Sequence, residues 1–191
     1  MNEYYPDRVL QIPNATPETK DAAQYIIYKG RKQYNLCGEF CVAYCMRDDA
    51  HNTDSIDDFL NYWEVKNPKW YQTLFKNGLS RTTGIYDLKI MLDAYEAEYI
   101  PLNIGSYPLG YLAMLDRYQL IVGVSIDHTG YLVGQGIRHW EVLERILVID
   151  DRHAICDLYN PFTNAMEPYT WRELMNSMGP YKQGLFVERV T

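Results

Sequence analysis

The chain has 191 residues, 47% hydrophobic and 23% charged, with a formal net charge of −7 and a pI near 5.1. That length suits one domain whose core needs no disulfide staples. An acidic balance with no basic patch or tail excludes a sequence-blind nucleic-acid binder, and no apolar run reaches the roughly 18 residues that a membrane-spanning helix needs.

Residues 1–16 are punctuated by Pro6 and Pro13 and read as an extended lead-in. The start has neither a basic cluster nor an apolar run, so no signal peptide is expected. Pro17-Glu18-Thr19-Lys20 predicts a short helix to Tyr28, broken at Gly30. From Cys37, apolar residues recur at 37, 40, 41, 44 and 45, the stripe of a buried helix, with Asn35 as its expected N-cap. Residues 48–53 read as a loop. Asp54 or Ser55 can cap a helix carrying Ile56, Phe59, Leu60 and Trp63. Pro68 opens a second short helix to Phe75, and Thr82-Thr83-Gly84 opens a third, striped by Ile85, Leu88, Met91, Leu92 and Tyr95.

Beyond Ala97 the period changes. Residues 98–102 suggest a short strand and 109–115 a short helix. Residues 119–126 form an apolar, β-branched run that reads as a buried strand. Asp127-His128-Thr129-Gly130 is a turn. Residues 139–149 predict a long strand, bulged near Arg145, that turns at 150–152 and returns over 153–159. Residues 161–164 are a loop, 171–178 a helix and 184–190 a closing strand. Helices first and an antiparallel sheet second make this α+β, with the helices on one side and the sheet on the other. It is expected to be a single domain over 1–191, with 48–80 as a helical insertion.

The four cysteines are Cys37, Cys41, Cys45 and Cys156. The first three are one helical turn apart, where side chains run parallel and make poor disulfides. The spacing is not that of a zinc site, so no metal and no cofactor is expected. Reduced thiols point to a cytoplasmic site of synthesis, and leave open later delivery by a phage or a secretion system. The 18 tyrosines fit either a recognition surface or ordinary core packing.

A cysteine nucleophile needs an activated thiol, a base, a group that orients the base, and oxyanion donors. Cys37 heads a helix, where free amides and the dipole favour thiolate. Gly38 allows close approach of a substrate carbonyl. Among His51, His128, His139 and His153, His139 is singled out because it opens a strand after the Gly134-Gln135-Gly136 loop. Folding the hairpin back brings Asn160 near it, and an Asn carbonyl there fixes the imidazole tautomer. Asp157 and Asp150 are alternative orienters. Gln33 or Asn35 can aim an amide at an oxyanion.

In this order the residues Gln33…Asn35-Leu36-Cys37-Gly38, His139-Trp140 and Asn160-Pro161 resemble the papain-like cysteine peptidase superfamily, most nearly its double-glycine leader peptidase-like branch. The likeness spans about residues 30–178 in order and spacing. It implies a papain-like fold in which the nucleophile helix packs on a C-terminal antiparallel sheet, a Cys37–His139–Asn160 triad, and Gln33 as oxyanion donor. Gln33 stands nearer the cysteine than the family's glutamine does, which keeps Asn35 as a rival. The third member is Asn, as in papain, where that branch often has Asp. The expected function is a cysteine hydrolase of bacterial or phage type that cleaves a peptide or isopeptide bond, with a protein or peptide as partner. The alternatives are an inactive or repurposed fold that binds proteins, and a cell-wall amide hydrolase or acyl transferase using the same dyad.

Overall fold

The structure is a computed structural model that describes residues 25–46, 56–78, 80–150, 152–161, 163, 165–180 and 182–190. The lead-in at 1–16, the helix start at Pro17 and the 48–53 loop with His51 lie outside the described residues.

The chain enters through a hairpin, β1 (Tyr25–Tyr28) and β2 (Arg31–Tyr34), paired Tyr28↔Arg31. The predicted helix to Tyr28 is therefore corrected over 25–28. Lys29 and Gly30 both have positive φ (49° and 75°), the conformation of a two-residue turn whose twist suits a hairpin. Next come α1 (Cys37–Cys45), α2 (Ile56–Lys66), α3 (Pro68–Leu74) and α4 (Ile85–Ala94). Then follow β3 (Tyr99–Pro101), α5 (Pro108–Leu115), β4 (Tyr118–Ile126), β5 (Ile137–Val148) and β6 (Ala154–Asn160). The chain closes with β7 (Ala165–Thr170), α6 (Trp171–Met178) and β8 (Gly184–Glu188). β7 occupies a stretch to which the sequence reading assigned no element.

The main sheet has six strands, all antiparallel, in the order β3-β8-β4-β5-β6-β7. β4 to β7 are successive neighbours, and β8 returns to the free edge of β4. The pairing of β5 with β6 slips between Leu143 and Arg145. This bulge keeps Leu143 and Ile146 in the same apolar cluster although they are three positions apart.

Helices cover both faces of this sheet, which corrects the expectation of helices on one side only. On one face α1, α2 and α4 pack on Ile121, Trp140, Val142, Tyr159, Leu185 and Val187. On the other, α5 and α6 bring Tyr111, Leu115, Trp171 and Leu174 against Leu120, Val122, Val124 and Leu158. All nine residues of β4 are buried, as a strand sandwiched on both faces must be. Among the described residues no helix is long and apolar enough to cross a membrane.

Candidate active site

α1 begins at Cys37, so the thiol stands on the first helical residue. Cys37 is partly exposed, whereas Cys41, Cys45 and Cys156 are buried. The backbone N–H groups of Trp140, Gly38 and Cys37 itself act on its sulfur to favour the thiolate, that of Trp140 most strongly. Trp140 directly follows His139. The β5–β6 ladder starts only at Val142↔Tyr159, so the 139–140 peptide presents an edge that no strand covers. The thiol occupies that edge. The helix and the strand therefore meet at the peptide that carries the imidazole.

His139 Nε2 lies 2.9 Å from Asn160 Oδ1, and both side chains are buried. The rest of the network fixes the proton. Asn160 Nδ2 donates to Gly130 O at 3.1 Å and to Glu167 Oε2 at 3.0 Å, both acceptors, so the remaining Asn160 atom is a carbonyl oxygen. A carbonyl only accepts, so Nε2 carries the hydrogen. The neutral imidazole then has its basic lone pair on Nδ1.

Burial acts on both Cys37 and His139. It pushes the Cys37 thiol up to about 12, against the backbone donors that lower it. It pushes His139 down to about 4, against the Asn160 bond. The thiolate favoured by the helix start is thus outweighed by desolvation, and thiol and imidazole are both neutral at rest.

The other candidates sit elsewhere. Gln33 is buried, and its amide is engaged by Gly78 O (2.9 Å) and Ser80 N (2.9 Å), tying β2 to the segment after α3. Asn35 is exposed with φ 62°; the N-cap of α1 is Leu36, with no side-chain cap, so the expected capping by Asn35 is corrected. Asp157 binds Arg145 (2.5 Å) and Asp150 binds His153 Nδ1 (2.7 Å), so neither faces His139. Alternation explains Asp157: it shares a sheet face with Tyr159, while Asn160 shares the other with Leu158. Among the described residues no cluster of His, Cys, Asp and Glu could hold a metal ion.

Three contributions were not read from the sequence. Thr83 Oγ1 donates to the buried Glu39 carboxyl (2.6 and 2.8 Å), and Thr83 O accepts from Trp140 Nε1 (2.9 Å). This one residue ties the first turn of α1 to β5. Gly38 owes its identity to the same junction: a Cβ there would lie 2.6 Å from Thr83 Cγ2 and 3.1 Å from Leu88 Cδ2. The glycine permits close packing of α1 on the loop before α4, a role distinct from room for a substrate. The third is Glu141, buried two residues beyond His139 on the same face. Its alternation with His139 along β5 was the available signal.

No protein-family model matches the chain, and no curated protein sequence matches it.

Proposed function

We propose that the chain is a papain-like cysteine hydrolase that cleaves a peptide or isopeptide bond, with Cys37 as nucleophile, His139 as base and Asn160 as orienter. One observation carries this reading: the Cys37 sulfur rests on the peptide that joins His139 to Trp140, while Asn160 sets the tautomer that leaves Nδ1 basic. Nδ1 takes the thiol proton as sulfur bonds to the substrate carbonyl carbon. The amine then leaves with that proton as the C–N bond breaks. Water, deprotonated in turn by Nδ1, hydrolyses the thioester and restores the thiol. With the Gln33 amide engaged, the backbone N–H groups at the start of α1 are the oxyanion donors at hand.

A second reading is a protein-binding module on the same fold. It is favoured by the neutral resting dyad and by the engaged Gln33. A peptide bearing an electrophilic ketone separates the two. The hydrolase forms one covalent adduct, on Cys37, and both C37A and H139A abolish it while remaining folded. A folded wild-type protein that forms no adduct is the binding module.

A further inference from the structure

Glu141 has no exposed surface, and among the described residues neither of its carboxyl oxygens has a hydrogen-bond partner. Its Oε1 lies 3.9 Å from His139 Nε2, the nitrogen that Asn160 holds. The groups that face it electrostatically come from several elements: His139 on its own strand, Glu167 and Tyr169 on β7, Cys156 on β6 and Cys41 on α1. None of them is a permanent cation. A carboxylate would be uncompensated there, and burial with the nearby Glu167 raises its proton affinity well above the ordinary value. Glu141 is therefore an uncharged acid at rest. A buried polar group without a partner costs stability, and an apolar side chain of that size would not. Its place beside the base is what it offers in return.

We propose that Glu141 is a positioning residue of the dyad, a neutral carboxylic acid whose oxygen stabilises the His139 imidazolium formed when the Cys37 proton is taken up. Nε2–H of the imidazolium is held by Asn160 Oδ1 at 2.9 Å, and Glu141 Oε1 stands 3.9 Å from the same nitrogen. In a dry site such a fixed dipole supports the charge without needing to reorient. Because the acid is neutral, it leaves the resting imidazole uncharged and able to accept a proton. The inference rests on the hydrolase reading.

The test is the rate of Cys37 alkylation by iodoacetamide, followed site by site with pH, in wild type, Glu141→Leu and Glu141→Gln. E141L should unfold at or above the wild-type temperature, yet react at Cys37 about tenfold more slowly, with the acid midpoint displaced downward by about one pH unit. E141Q, which keeps a neutral oxygen, should stay within about threefold of wild type at an unchanged midpoint. Stability and reactivity moving in opposite directions is not the mark of a merely structural residue. A folded E141L with the wild-type rate and midpoint overturns the proposal. If E141L does not fold, E141Q decides: a tenfold loss or a displaced midpoint overturns it. If wild-type Cys37 itself reacts no faster than Cys156, the hydrolase reading fails first, and the two failures are distinct.

Discussion

At the scale of residues, His139 carries a measurable cost of burial. Its proton affinity falls from the ordinary 6.5 to about 4 because an imidazolium is poorly solvated there. The unfolded chain binds that proton more readily, so between these two values acid favours unfolding. The sign is fixed: folding stability drops as pH falls through 6.5 and stops dropping on this account below about 4. The full effect is about 3 kcal/mol. His139→Gln removes it. Chemical denaturation at pH 7 and pH 4.5 should show wild type losing about 2 kcal/mol more than H139Q. Glu39, raised to about 7 by burial, and Glu141 hold protons in the fold and act with the opposite sign, but they are common to both proteins and cancel in the difference. Equal losses in the two would place the imidazole in water.

At the scale of elements, the site depends on how α1, the loop before α4 and β5 are clamped together. Arg81 and Trp70 Nε1 both bind the Asp87 carboxylate, which also accepts from Gly84 N at the head of α4. That anchors Thr83, and Thr83 holds Glu39 on one side and Trp140 on the other. Gly38→Ala inserts a methyl at this junction with no rotamer to escape through. It should cost about 1–3 kcal/mol in denaturant unfolding and, by moving Cys37 off the 139–140 peptide, slow its alkylation. A stable, fully reactive G38A would mean that the clamp does not set the site. Much of this was legible in the chain. The stripe from Cys37 and the run at 119–126 fixed α1 and β4, and the return of the hairpin brought His139 toward Asn160. The clamp was not, because Thr83 and Trp140 are far apart in sequence and only the fold joins them.

At the scale of the molecule, what escaped the sequence was arrangement. Local periodicity says that a strand is buried, not which strand lies beside it, so nothing in residues 184–188 announces that β8 inserts between β3 and β4. The continuous burial of β4 did carry the information that helices cover both faces, since a strand covered on one face alternates. Gln33 could not be resolved locally either, since the groups that engage its amide lie at Gly78 and Ser80. The consequence of the arrangement is that α1 presents its N-terminus to the one stretch of β5 that β6 leaves uncovered. The central claim is that the thiol there is served by the His139 imidazole. Proton transfer within a neutral thiol–imidazole pair is independent of pH wherever both partners are neutral, here from about 4 to about 12. A thiol without a base instead gains about tenfold in rate per pH unit up to its own pKa. The direct measurement is the alkylation rate of Cys37 from pH 4 to 9 in wild type and His139→Ala. The account predicts a wild-type plateau from about pH 5 upward that disappears in H139A. A steady rise through pH 9, the same in both proteins, would contradict it.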